Sequence, residues 1–257
     1  YQRDHIIIKK LEYNIKLLIL NWNGSDDTID CLKSIIKIKN SNVSCLVIDN
    51  GSTDNSIKNI ENYFPQIELL KLNKNYGFSG GMNKGIEYLK KNPPDHVIFM
   101  NNDIIVSDDF IDGLIEGINS KGENHIYSPV INYFNDKEKI WYGGGKVNLS
   151  YGFISHENIR KISNEIKMDK IKLTDYISGC CMLISWSLIN RLKGFDERFN
   201  MYSEDVDLCI RAQEYNAKCF VVKKSIIWHK VSKSIGGNYS FKKNIRKFLS
   251  ILRLINI

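Results

Sequence analysis

KLLILNWNGSDDTIDCLKSIIK (residues 16–37) sets the frame for the whole chain. Lys16 to Asn21 is an apolar run of strand length, and from Asp26 to Lys37 the apolar residues Ile29, Leu32, Ile35 and Ile36 fall at helical spacing. The unit repeats outward. Ser44 to Asp49 (SCLVID) ends in the turn Asn50-Gly51-Ser52-Thr53, whose Ser and Thr suit the start of a helix carrying Ile57 and Ile60. Ile67 to Leu72 precedes the glycine-rich stretch Asn75 to Gly81, which is expected to be a loop opening a helix over Met82 to Lys90. His96 to Met100 then runs into Asn101-Asn102-Asp103. Four strand-then-helix units with short connections predict an α/β fold, a mostly parallel nucleotide-binding sheet flanked by helices.

Past residue 125 the alternation fades. Trp141 to Val147, with Gly143-Gly144-Gly145, predicts a hairpin or glycine turn, and Asp169 to Asp175 a polar, lysine-rich connection. Tyr176 to Ser185 reads as a strand, Trp186 to Lys193 as a short helix and Ser203 to Asn216 as a helix with acids at its start. Lys218 to Val222 and Ile226 to Trp228 read as two further strands. With no internal repeat and no low-complexity linker, residues 15–240 are expected to form one continuous domain. Its 15–125 half is expected to be the nucleotide-binding one, and 126–240 a continuous second half. Residues 241–257 are expected to add a basic amphipathic helix.

The 257 residues, 43% hydrophobic and 25% charged, exclude a disordered, collagenous or coiled-coil chain. The formal charge of +7 favours anionic partners without choosing among them. Its basic residues are spread out and interleave with no aromatic RNA-binding motif, so nucleic acid is not expected as a partner. The six cysteines lie in apolar runs with no C-x-x-C pair, as buried free thiols in a reducing compartment do. No apolar run is long enough to cross a bilayer and no signal-peptide cleavage site is seen, so a cytoplasmic location is expected. Tyr1 stands where a start Met would, so the sequence is read as beginning within a longer product.

In an open parallel sheet, ligands bind beyond the carboxyl ends of the strands, so the polar strand exits are the first suspects. These are Asn21 to Gly24, Asp49 to Asp54, Asn75 to Asn83 and Asn101 to Asp103. Asp49 can accept a hydrogen bond from a base or ribose, or brace its own turn as an Asx residue. Gly80 and Gly81 allow a ligand close to the backbone, as phosphate loops do, though this is not a Walker A sequence. Asp103, with the amides of Asn101 and Asn102, can hold a hard divalent cation, or form an Asx-rich turn. Glu204 and Asp205 are candidate bases, and Asp207 is set to pair with Arg211 one helical turn on. His229 can serve a metal or a diphosphate, or be structural.

Taken together these segments resemble the inverting family 2 glycosyltransferases of the GT-A fold, especially a bacterial rhamnosyltransferase-like branch. The likeness is carried by LLILNWNG (17–24), LVIDNGSTDNS (46–56), NKNYGFSGGMNKGI (73–86), FMNNDIIV (99–106), SGCCMLIS (178–185), GFDERFNMYSEDVDLCIRA (194–212) and WHKVSKSIGG (228–237). It implies that Asn21, Asn23 and Asp49 hold the nucleoside, and that Asn75, Gly80, Gly81 and Asn102 belong to the donor side. Asp103 takes the last position of a D-x-D-like metal motif in which Asn101 and Asn102 replace acids, and His229 joins it near the diphosphate. Asp205, beside Glu204, is the implied general base. Gly179, Met182 and Gly143 to Gly145 fall in segments shaping the acceptor side. The implied cofactor is Mg2+ or Mn2+, and the implied donor a nucleotide-diphosphate sugar, with rhamnose the first expectation. The implied acceptor is a glycan or lipid-linked saccharide, reached by peripheral contact with the inner membrane face. Two rival readings are a sugar-phosphate nucleotidyltransferase, which lacks its basic glycine signature here, and an inactive nucleotide-sugar-binding scaffold.

Overall fold

The computed structural model describes residues 13–40, 42–199, 202–231 and 249–255. The first half follows the strand–helix alternation: β1 (Ile15–Asn21), α1 (Ser25–Ile35), β2 (Val43–Asp49), α2 (Ser56–Tyr63), β3 (Glu68–Lys71), α3 (Gly77–Leu89) and β4 (His96–Asn101). β1 lies between β2 and β4, parallel to both, with β3 parallel to the outer edge of β2. Ile15, Leu17, Leu18 and Ile19 are fully buried, as both faces of a covered parallel strand require. Because β1, β2 and β4 run the same way, their polar ends Asn21, Asp49 and Asn101 arrive on one edge.

The stretch expected to be a loop to Gly81 is helical from Gly77. Gly81 and Gly85 face the sheet, where an added Cβ would lie 2.7 Å from Leu20 Cδ1 and 2.4 Å from Ile48 Cδ1 respectively. These glycines let α3 sit close on β1 and β2; they do not open the backbone as a loop.

The second half adds β5 (Ile104–Val106), α4 (Phe110–Lys121), β6 (Ile126–Tyr133), β7 (Ile140–Tyr142), β8 (Gly145–Asn148), β9 (Phe153–His156), β10 (Ile171–Thr174), β11 (Cys181–Ser185), α5 (Trp186–Arg191), α6 (Glu204–Gln213) and β12 (Cys219–His229). Among the described residues the main sheet has ten strands, with the path β10-β12-β6-β11-β4-β1-β2-β3 and with β5 on β12 and β7 on β6. β8 and β9 form a separate hairpin.

Three sequence expectations need correction here. Within the stretch Asp169 to Asp175, expected as a connection, Ile171–Thr174 is an edge strand antiparallel to β12, with Leu173 exposed. The expected strand Tyr176 to Ser185 is extended only from Cys181, because Ser178-Gly179 turns the chain into the site. The two strands of residues 218–228 are one, with an irregularity between Val222 and Ile226 that absorbs Lys223 and Lys224. β6 was not foreseen, since Ser128, Pro129 and Asn132 break its apolar run, yet its first seven residues are buried between β11 and β12.

All six cysteines are free, five of them buried, and burial pushes their thiols toward the neutral form where a shift is resolved. Residues 249–255 are helical, with Ser250 and Leu254 buried and Leu249, Leu252 and Ile255 exposed. The basic stretch 241–248 of the expected amphipathic helix lies outside the described residues, as do Lys233, Ser234, Gly236 and Gly237. Among the described residues no helix is long and apolar enough to cross a membrane.

At the opposite end of β4 from the polar edge, His96 is fully buried, edge-on to Tyr13 at 4.8 Å, and neither ring nitrogen has a hydrogen-bond partner among the described residues. Burial lowers its pKa below the ordinary 6.5, so the unfolded chain takes up a proton there before the folded one does. This contribution is therefore present above about pH 6.5 and is lost as the pH falls below it, at up to about 1.4 kcal/mol per pH unit. Denaturant titrations from pH 7.5 to 5 on wild type and His96→Phe should show a shallower acid-side loss in the variant. Equal slopes would remove His96 as its source.

Candidate active site

The exits of β1 and β2 are locked together before any ligand is considered. Asn21, fully buried, donates from Nδ2 to Asp49 Oδ1 at 2.8 Å and accepts at Oδ1 from Thr28 Oγ1 at 2.9 Å. Asp49 also accepts from the Ser52 backbone N–H at 3.0 Å and from Ser52 Oγ at 2.6 Å, closing an Asx turn. Asn23 has a left-handed backbone (φ 51°), which Asn tolerates, and clips the two loops together by accepting from Thr53 N–H at 2.8 Å. Gly51, at φ +71°, passes so close to Lys74 that an added Cβ would stand 2.4 Å from that residue's carbonyl carbon.

Asn50, which the sequence reading passed over, joins this edge to α3. It donates to Asn75 Oδ1 at 3.2 Å and to the Gly77 carbonyl at 2.9 Å, and accepts from Tyr76 N–H at 3.0 Å. Asn75 in turn accepts from Gly77 N–H at 2.7 Å. Gly80 lies inside α3 and faces Tyr76 and Glu197.

In the turn after β4, the amide of Asn102 is directed to α1. Its Nδ2 donates to Thr28 Oγ1 at 3.0 Å and to the Gly24 carbonyl at 3.2 Å, bracing the helix start. Asp103, nearly buried, faces His229 instead, with Oδ2 and Nε2 3.2 Å apart. Lys230, beside His229, donates to Asp27 at 2.9 Å and Asp30 at 2.8 Å, tying the end of β12 to α1. Among the described residues no three His, Cys, Asp or Glu side chains gather as a metal centre. Asp103 and His229 together offer one carboxylate oxygen and one imidazole nitrogen converging from two strands.

Antiparallel pairing of β11 with β4 sets Cys181 opposite Met100, and Asn101 donates to the Cys180 carbonyl at 3.0 Å. Gly179, one residue earlier, donates its N–H to Asp205 Oδ2 at 2.8 Å, while Asp205 Oδ1 accepts from Val206 N–H at 2.9 Å. Thus Asp103 and Asp205 flank the 179–180 segment. The Cys180 thiol is pushed up first by burial and next by the Asp103 charge, with Asp205 also contributing. Asp207 pairs with Arg211 at 2.8 Å, as its spacing predicts.

Glu204 and Asp205 open α6 behind two consecutive left-handed residues, Tyr202 (φ 75°) and Ser203 (φ 66°). Neither is glycine, and each costs on the order of 1–3 kcal/mol of backbone strain. Glu204 is nearly buried, and its Oε2 has no hydrogen-bond partner among the described residues. Burial first, and the neighbouring Asp205 charge second, push its pKa up to about 8. Burial also raises Asp205, against the hydrogen bonds it accepts from Gly179 and Val206. A cavity of about 680 Å³ between the β8–β9 hairpin, β10 and α6, lined by Val147, Leu173 and Ile210 among others, includes none of these groups.

A model of glycosyl transferase family 2 matches residues 17–190. The chain belongs to glycosyl transferase family 2. Asp205 and His229 lie beyond the matched stretch. The transferase is 25% identical over 202 residues to rhamnosyltransferase WbbL of Escherichia coli K12, covering 76% of this chain and 75% of that one. It is equally identical over 212 residues to the N-acetylglucosaminyl-diphospho-decaprenol L-rhamnosyltransferase of Mycobacterium tuberculosis, covering 76% and 68%. In fold it resembles GalNAc-T7 crystallised with UDP, GalNAc and Mn2+, at TM-score 0.73 and 15% identity. The match covers 95% of this chain but only 48% of the other. The mannosyltransferase PcManGT of Pyrobaculum calidifontis, in complex with GDP-Man and Mn2+, follows at TM-score 0.69 and 12% identity, covering 96% and 65%. The fold is therefore that of the GT-A glycosyltransferases.

A carboxyl whose folded pKa is raised binds its proton more tightly folded than unfolded. The stability it contributes is complete below about pH 4.5 and is lost as the pH rises to about 8. Glu204→Gln, which keeps the shape without the charge, should therefore raise the melting temperature over wild type more at pH 9 than at pH 5. A pH-independent difference would overturn the assignment of a buried, neutral-preferring Glu204.

Proposed function

We propose that this transferase moves a sugar from a nucleotide-diphosphate donor to an acceptor hydroxyl with inversion at the anomeric carbon, and that Asp205 is the general base. The observation that carries the reading is the placement of Asp205 and the Asp103–His229 pair on either side of the Gly179-Cys180 segment. A base for the incoming hydroxyl and a cradle for the departing diphosphate belong that way in a single displacement. Asp205 is held by two backbone N–H groups. Its raised pKa brings it nearer to that of a useful base. Asn21, Asn23 and Asp49 are assigned to the nucleoside, with Asn75, Gly80, Gly81 and Asn102 on the donor side. On the geometry, Asn50, Asn75 and Asn102 serve by fixing the β2–α3 and β4–α1 junctions.

The donor set of Asp103 and His229 fits a divalent cation whose remaining positions are filled by diphosphate oxygens and water. One imidazole favours Mn2+ over Mg2+. When bound, such an ion neutralises the charge that develops on the diphosphate as the glycosidic bond breaks. Asp205 takes the hydroxyl proton and so makes the acceptor oxygen nucleophilic. Two curated relatives named as rhamnosyltransferases support rhamnose as the transferred sugar, and one of them, named for a diphospho-decaprenol substrate, supports a lipid-linked saccharide acceptor. The enzyme would then work at the cytoplasmic face of the membrane in surface-polysaccharide assembly, as the 15–240 domain proposed from the sequence.

A thermal-shift panel of nucleoside diphosphates and nucleotide sugars, with and without Mn2+ or Mg2+, tests the donor half of this reading. One nucleotide should stabilise the fold only with metal, and Asp103→Ala should abolish that shift. The absence of any nucleotide-dependent shift in wild type would sink the donor-site assignment. Asp205→Asn should retain the shift but lose about 10²–10⁴-fold in transfer rate, as removal of a general base does. Near-wild-type transfer by Asp205→Asn would remove it as the base.

A further inference from the structure

A run of largely aromatic contacts leads from the Asp103–His229 pair to Tyr176, on the side of the site where Asp205 lies. From Asp103 the run passes to His229, then to the Trp141 ring, edge-on at 4.6 Å and 83°, then to His156, edge-on to Trp141 at 4.6 Å and 74°. His156 meets Tyr142 at 5.1 Å and Tyr176 at 6.3 Å. The Tyr176 phenol is pushed above its ordinary pKa by burial first and the Asp205 charge second, which places it in that carboxylate's field. Asp205 connects through Gly179 and Cys180 to Asn101, beside Asp103. His229, Tyr142 and Tyr176 are buried, whereas Trp141 and His156 keep open surface.

We propose that the partly exposed indole of Trp141 is the platform on which the acceptor saccharide lies, a binding residue assigned by nothing in the chain's sequence motifs. The inference rests on the transferase reading above. An acceptor that presents a hydroxyl to Asp205 while the diphosphate side is held at Asp103 and His229 must be flanked by the arc joining those two groups. In that arc Trp141 and His156 are the rings that keep some open surface, and the indole is the larger of the two. The apolar C–H face of a pyranose suits an aromatic ring, as its hydroxyls suit the acids beyond.

The platform is rigid before any ligand arrives, which lowers the ordering cost of binding. The Trp141 carbonyl lies 3.2 Å from His156 Nδ1, and a carbonyl only accepts, so Nδ1 carries the proton. Next along β7, Tyr142 donates its hydroxyl to the Tyr176 carbonyl at 2.5 Å. Glu157 N–H donates to the Gly144 carbonyl at 2.7 Å, and the Glu157 carboxylate pairs with Lys172 at 2.7 Å. The glycines are needed for this packing, since a Cβ on Gly145 would lie 2.0 Å from the Tyr176 ring.

The test measures transfer from dTDP-rhamnose to an N-acetylglucosaminyl diphosphate bearing a short alkyl chain, for wild type, Trp141→Ala, Trp141→Leu and Trp141→Phe. Ala and Leu should each raise the acceptor KM at least tenfold while the donor KM moves less than twofold, and Phe should restore most of the loss. Leu retains bulk, so it separates loss of the aromatic face from collapse of the fold. An unchanged acceptor KM in a folded Leu variant, or a donor KM that rises as much as the acceptor KM, would overturn the platform. In that case Trp141 would serve to buttress His229. If wild type binds no nucleotide and transfers nothing, the transferase reading fails first and the platform with it. Nucleotide binding with a silent Trp141 defeats the platform alone.

Discussion

The antiparallel pairing of β11 against β4 is the constraint on which the site depends. A parallel α/β sheet can bring many polar strand ends to one edge, but each comes from the same half of the chain. Inserting one reversed strand beside β4 delivers Ser178, Gly179 and Cys180 to that edge from the other half, because β11 begins where β4 ends. Gly179 N–H then holds Asp205, and α6 is anchored by its own catalytic candidate. Shifting this register by one residue would invert every side chain of β11, all five of them buried, so the pairing is fixed by the core. Packing of an apolar strand thereby helps position Asp205, the proposed base, relative to the proposed cradle.

The far side of the site is fixed differently, by β12. It runs parallel to β6 and antiparallel to β10 and β5, and in the last pairing His229 stands opposite Ile104, next to Asp103. The ion pairs of Lys230 with Asp27 and Asp30 fasten this corner to α1. Such partly exposed pairs add little stability individually. Two acids on one lysine nevertheless leave the backbone beside His229 few alternatives. Across the site, Tyr202 and Ser203 are held in left-handed conformations to start α6 at Glu204. The strain is stored where the acids are, a pattern found at functional sites.

Much of the first half was legible in the sequence because a buried parallel strand reads as an unbroken apolar run and its helices as a 3.6-residue period. The six residues of KLLILN, the helical spacing of Ile29, Leu32, Ile35 and Ile36 and the polar exits Asn21, Asp49 and Asn101 to Asp103 all announced themselves. The second half hid its organisation in residues that serve two purposes. Pro129 and Asn132 lie inside β6, and Lys223 and Lys224 interrupt β12 at an irregularity. The glycines of α3 looked like a loop because only the distance to Leu20 and Ile48 explains them. Asn50 and Asn102 show the limit of reading polar strand exits as ligand contacts. In the folded chain the side-chain hydrogen bonds of both go to neighbouring loops, strand ends and helix starts. Trp141 and His156 had no linear signature at all, since their value lies in rings brought together by β7 and β9.

With Asn101 and Asn102 where the family resemblance implies acids, the proposed cradle is poorer in negative charge than that resemblance leads one to expect. Asp103 remains the only carboxylate in the turn, and its partner is a neutral or cationic imidazole. Two protein donors cannot fill the six or more positions that Mg2+ or Mn2+ takes, so diphosphate oxygens have to supply several. On the proposed assignment, cation and nucleotide then bind as one unit. Each raises the affinity for the other by the same factor, because coupling between two binding equilibria is reciprocal. The Asn102 side chain braces the sheet edge to Gly24 and Thr28, while Asn101 reaches Cys180 through its backbone N–H, as any residue there would. The turn has exchanged negative charge for rigidity, and a cradle poor in charge but firmly positioned relies on its substrate's own phosphates to complete it.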